Sequence, residues 1–129
     1  MRALALLLAL AGPGMAQEVT DSTGASLRFL DKLTSETGDV VLSRGQAAKF
    51  GRMIVQLDSC RYPTDNPASD AEAHLTIIEE TTQSQLFSGW MLASSPALSA
   101  LDHPRYDVWV LSCNLPEAAA DATTEGDGG

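Results

Sequence analysis

Basic side chains are scarce in this sequence: eight Lys and Arg stand against seventeen Asp and Glu in 129 residues, a formal net charge of −9. A chain that acidic repels phosphate backbones and anionic lipid surfaces, which disfavours nucleic-acid binding and peripheral membrane attachment. Histidine is scarcer still. His74 and His103 have neither the H-x-H nor the i, i+4 spacing of metal sites, so a site built from them with Asp102 and Asp107 has little support. There is no Cys-x-x-Cys pair, no Gly-x-Ser-x-Gly elbow and no internal repeat. Long apolar runs are missing too. The longest, Ala3 to Ala11, is about half of the roughly 20 residues a membrane span needs. The length fits one domain of roughly 100–200 residues.

That apolar run nevertheless carries information. Met1-Arg2 supplies a positive start, ALALLLALA an apolar centre, Gly12-Pro13 a break, and Gly14-Met15-Ala16 small residues before a cut. This order of features predicts a signal peptide over residues 1–16, cleaved after Ala16. No cysteine follows at a lipid-attachment position. The expected product is a free acidic protein of the periplasm, with no membrane insertion after cleavage.

Export changes the reading of Cys60 and Cys113. In an oxidising compartment an even cysteine count favours a disulfide over buried thiols or metal ligands. The two lie 53 residues apart, and closing a loop of that size is worth roughly 4 kcal/mol in the chain-entropy model.

Residues 17–25 (QEVTDSTGA) read as a flexible lead-in, and residues 116–129 (PEAAADATTEGDGG) as a disordered acidic tail, because neither can bury much apolar surface. The folded window is 26–115. It carries short strands separated by Gly, Pro, Asn and Asp clusters: Leu27–Leu33, Val40–Leu42, Ala47–Phe50, Arg52–Arg61, Ala73–Glu79, Leu86–Leu92 and Tyr106–Cys113. The last is apolar on both faces from Val108 to Leu111, the pattern of a central strand, with Trp109 in the core. Ser95-Pro96 reads as an N-cap and first-turn proline opening one short helical turn, closed by His103-Pro104. The fold class is all-β, a small antiparallel sandwich or barrel of about seven strands with one disulfide.

Reactive groups are thinly spread. Ser94, Ser95, Asp102, His103 and Asp107 crowd one segment, but a serine hydrolase needs a serine bonded to a histidine beside an oxyanion hole, and capping and turn closure account for every member. Glu79 and Glu80 are consecutive, so in a strand they point to opposite faces and cannot work as an acid–base couple. No catalytic residue, metal or cofactor is assigned, and the chain reads as a non-enzyme.

The stretch from Phe87 to Pro104 (FSGWMLASSPALSALDHP), followed by Tyr106 to Cys113 (YDVWVLSC), closely resembles the signature of the bacterial domain of unknown function DUF2155. Leu30-Asp31-Lys32-Leu33-Thr34, Gly45-Gln46, Phe50-Gly51 and Cys60-Arg61 extend the resemblance over about residues 27–114. It implies a small exported domain without established enzymatic activity. The resemblance also implies a genomic association, since genes of the family often neighbour one for an accessory subunit of respiratory complex I, and this makes the periplasmic face of that membrane complex a candidate partner. The expected function is therefore protein interaction, through a surface containing Phe87, Trp90, Ser94, Ser95, Pro96, His103 and Pro104. The alternative is a glycan- or ligand-binding module that uses an exposed Trp90. Expressed with its leader in a bacterial host, the exported protein should begin at Gln17, which N-terminal sequencing would check.

Overall fold

The computed structural model describes residues 17–116, so the signal peptide expected over residues 1–16 and the disordered tail expected after Pro116 lie outside the described residues. Eight strands follow one another: β1 Val19–Asp21, β2 Gly24–Asp31, β3 Glu36–Ser43, β4 Ala47–Phe50, β5 Met53–Pro63, β6 Glu72–Glu79, β7 Gln85–Leu92 and β8 Tyr106–Cys113. Every pairing is antiparallel. One sheet runs β1-β5-β6-β7 and the other β3-β2-β8. β5 is long enough for β4 to pair with its first half and β1 with its last, on the same edge.

Side-chain alternation builds the core between the sheets. Ala25, Leu27 and Phe29 of β2 and Tyr106, Val108 and Val110 of β8 face Met53, Val55 and Leu57 of β5 and Ala73, Leu75 and Ile77 of β6. Fully burying the Val, Leu, Ile, Phe and Met side chains among these stabilises by about 1.5–3 kcal/mol each before ordering costs.

Strict alternation would leave both cysteines on the wrong side. In β5 the inward positions 53, 55 and 57 project to 59 and 61, yet the buried residues are Cys60 and Tyr62. The shift in pairing between Leu57 and Ser59 inserts Asp58 as an extra residue and rephases the strand. In β8 the inward positions 106, 108 and 110 project to Ser112, yet Cys113 is buried. There the pairing with β2 shifts around Leu111. Two bulges, one on each cysteine-bearing strand, thus bring the sulfurs together in a Cys60–Cys113 disulfide that joins the two sheets.

The tight corners are set by individual residues. Gly51 has φ +58°, and a Cβ there would collide with the Tyr106 ring, whose hydroxyl accepts a hydrogen bond from the Arg52 N–H (3.3 Å). Asp31, buried at the end of β2, accepts from the Leu33 N–H (3.0 Å) and from the Arg105 guanidinium (2.8 Å), which ties the β2–β3 turn to the start of β8.

Three expectations are corrected. Residues 17–25 are not a loose lead-in: β1 pairs with β5, the Ser22 N–H donates to the Cys60 carbonyl (2.7 Å), and the buried Ser22 hydroxyl donates to the carbonyls of Gly24 and Asn114. Backbone pairing orders a segment whose composition alone gives no reason for order. The helical turn at Ser95–Leu101 does not form. Leu92 and Ser95 make an isolated bridge and a single turn bond links Leu98 to Ser95 (3.1 Å), because only Leu101 finds the core while Leu98 is 76% exposed. A helix that short, with one apolar anchor, does not sustain itself. Finally, β8 lies at the edge of its sheet, and Trp109 is half-buried on that sheet's outer face opposite Arg28.

Replacing both cysteines by alanine should lower the unfolding free energy by about 4 kcal/mol. Urea titration of the oxidised parent and the double variant would check this.

Candidate functional site

The bulge that rephases β5 also turns Asp58 toward the outer face of the larger sheet. One carboxylate oxygen of Asp58 accepts from the Thr76 hydroxyl (2.6 Å) and lies 2.8 Å from His74 Nδ1. An ionised carboxylate can only accept, so this contact is a hydrogen bond in the tautomer that carries its proton on Nδ1. Trp90, opposite His74 in the β6–β7 register, meets the imidazole edge-on with ring centroids 5.2 Å apart. The Arg61 guanidinium lies over the indole at 4.0 Å and is itself held by Glu72 (2.7 Å). The cluster is an aspartate-oriented histidine beside a capped tryptophan. Among the described residues no side chain is hydrogen-bonded to His74 Nε2, and the Thr76 hydroxyl is already committed to Asp58.

The serine–histidine arrangement is not assembled. The Ser94 hydroxyl and N–H both donate to Asp70 (2.7 and 3.0 Å). His103 Nδ1 accepts from the backbone N–H groups of Arg105 (3.0 Å) and Tyr106 (3.1 Å), and its ring lies 5.2 Å from that of Tyr106. Ser95 pairs with Leu92 through its backbone, its N–H donating to the Leu92 carbonyl (3.2 Å), and its hydroxyl makes no hydrogen bond to either histidine. No group of three or more His, Cys, Asp or Glu side chains could hold a metal among the described residues.

The seven residues expected to share one surface are dispersed. Phe87 pairs with Ile77 on the inner side of its sheet and packs against the core. Trp90 is on the outer face of that sheet. Ser94 lies beside Asp70, and Pro96 faces Trp109 on the side of the other sheet. His103 and the exposed Pro104 sit where the chain enters β8, with the His103 carbonyl accepting from Lys32 Nζ (2.8 Å). One part of the expected surface holds together: the crossover from Ala93 to Arg105, which leaves the large sheet and joins the small one. Leu101 anchors it and Leu98 projects outward. Between its Pro96, Ala97 and Ala100 and the Asp107, Val108 and Trp109 of β8 is a mainly apolar cavity of about 380 Å³. A second, of about 440 Å³, lies further along β8 beside Leu111 and Leu115 and is walled by Pro67 and Ala68.

Sequence reasoning missed Asp58, Arg61, Glu72 and Thr76. Their meeting depends on the bulge and on pairing between strands, and no local pattern carries it. Asp31 and Arg105, separated along most of the domain, were equally invisible.

What the fold and these contacts define is a disulfide-joined, two-sheet β-domain in which the Ser94, His74 and His103 side chains are engaged in structural hydrogen bonds. The chain belongs to the family described as "Uncharacterized protein conserved in bacteria (DUF2155)", whose model matches residues 25–113. It is similar to the uncharacterized protein RP359 of Rickettsia prowazekii (strain Madrid E), with 29% identity over 99 residues. The match covers 74% of this chain and 64% of that protein, so the chain spans less than two thirds of the curated relative's length. No solved structure matches the chain.

Two carboxyls are held well below their ordinary range. Asp31 is lowered from 3.8 to about 2, chiefly by its hydrogen bonds from Arg105. Glu79 is lowered from 4.5 to about 2, chiefly by the Thr81 hydroxyl and then by the Thr82 N–H. Because both are depressed in the folded state, the stability they contribute is present above their unfolded pKa values and lost as pH falls toward about 2. A variant carrying Asp31→Asn and Glu79→Gln should be less stable than the parent at neutral pH. Its melting temperature should also fall less steeply between pH 4.5 and 2, as thermal melts across that range would show.

Proposed function

We propose that the protein is an exported, non-catalytic interaction domain whose contact surface is the crossover Ala93–Arg105 together with the adjoining side of β8. The observation that carries this is the contrast on that surface. Ser94 and His103 are tied into the fold, while Leu98 is 76% exposed beside an apolar cavity that holds Trp109 in its wall. Exposure alone does not single Leu98 out, since Leu33 is 75% exposed elsewhere; what distinguishes it is its place on the crossover whose Pro96, Ala97 and Ala100 wall the apolar cavity with Trp109. Such a surface binds by shape and apolar burial, for which no reactive group is needed.

Export is supported by the disulfide, which persists in oxidising compartments. The partner proposed is a membrane respiratory complex approached from its periplasmic face, and this part rests on the family resemblance. The glycan-binding alternative has less behind it, since Arg61 already occupies one face of Trp90.

Leu98→Glu tests the surface with little risk to the fold, because an exposed turn position typically changes stability by no more than about 0.5 kcal/mol. Affinity capture from solubilised membranes should recover complex I subunits with the parent and lose them with the variant. Recovery of the same subunits by both would exclude this surface.

A further inference from the structure

The sequence of β8 and its place in the fold disagree. Its apolar residues on both faces are those of a strand with neighbours on each side, yet it pairs only with β2 and ends the sheet β3-β2-β8. The orientation of its free backbone groups follows from one bond. The Lys32 N–H donates to the Arg105 carbonyl (2.7 Å), so in the antiparallel alternation Asp107 and Trp109 bond toward β2 while Tyr106 and Val108 turn away. Both of those outward N–H groups are covered by side chains and by no strand. His103 Nδ1 accepts from Tyr106 (3.1 Å), and the carboxylate of Asp107 accepts from its own neighbour Val108 (3.0 Å). The two cavities described above lie along this strand, one at Asp107–Trp109 and the other at Leu111–Cys113.

From these observations we infer that β8 is an acceptor for strand addition: an extended, basic and apolar segment of a partner protein pairs with its free edge, lying between β8 and the crossover. This rests on the interaction reading above and specifies its geometry. From Asp107 to Leu111 the edge extends about 13 Å at about 3.3 Å per residue, enough for a short extended segment. On pairing, the Val108 N–H exchanges the Asp107 carboxylate for a partner carbonyl, so no buried donor is left unsatisfied. The released carboxylate then faces the incoming strand. It meets Lys or Arg favourably, and the chain's net charge of −9 attracts the same chemistry. That charge also argues against a second copy as the occupant, since two edges bearing Asp107 and an overall negative charge would repel. The side-chain cap on Val108 serves meanwhile as a guard against indiscriminate edge pairing.

The test is amide hydrogen exchange and chemical-shift mapping of the oxidised, ¹⁵N-labelled protein. The probes are a short peptide alternating lysine and valine, the same peptide with glutamate for lysine, and the lysine peptide N-methylated at alternate residues. The lysine peptide should slow exchange at Val108 about tenfold. The other two should leave it unchanged, and Asp107→Lys should weaken binding of the lysine peptide about tenfold while the spectrum elsewhere stays folded. Unchanged β8 amides with the lysine peptide, equal binding of the glutamate or N-methylated peptide, or a dimer joined through β8 in sedimentation would each overturn strand addition. Shifts confined to Ala97–Leu101 would also overturn it while leaving the proposed docking surface intact. Loss of partners by Leu98→Glu is read separately.

Discussion

The bond between Cys60 and Cys113 is the constraint around which the rest of the fold is arranged. It crosses from one sheet to the other, and neither sulfur could reach the core if its strand kept a regular two-residue alternation. Each strand takes up one extra residue just before its cysteine, Asp58 in β5 and Leu111 in β8, and the alternation resumes out of phase. The bulges also have effects outside the core. The one at Asp58 supplies the carboxylate that organises His74 and Thr76 on the outer face. The one at Leu111 lies beside the larger of the two cavities along β8.

Much of the fold was legible in the sequence because it is encoded locally. Ala47–Phe50 and Tyr106–Cys113 are strands at the residues where composition and alternation put them, and the Pro- and Asn-rich segment expected to be a loop over Tyr62–Asp70 is one except at Tyr62 and Pro63, which end β5. The disulfide was legible from compartment and count, although alternation alone would have turned Cys60 outward. What was not legible depends on contacts distant in sequence. β1 is too short and polar to be read as a strand and is ordered by pairing with Arg61–Pro63. The helical turn was expected from capping residues, but those signals favour a helix only where an apolar face supports it, and Leu98 has none to pack against.

The site followed the same division. Single residues fared unevenly: His103 closes the crossover, its Nδ1 accepting from the Arg105 and Tyr106 N–H groups, whereas Ser95, read as a helix cap, has no helix to cap. Their grouping into one surface was not recoverable from a linear stretch, because Phe87 faces inward and Trp90 outward on the same strand. The doubly apolar face of β8 was read as the mark of a central position. That inference holds where helices or strands cover both sides of a sheet, and here the second side is bounded by an open crossover.

The staple also divides the chain mechanically. Cys60 and Cys113 enclose the end of β5, all of β6, β7 and the crossover, and nearly all of β8, whereas β1 to β4 lie outside the closed ring. Under tension applied through its two ends, the intact molecule can extend only from the portion before Cys60 and after Cys113. The enclosed portion, including the proposed docking edge, is shielded from the force for as long as the sulfurs stay joined.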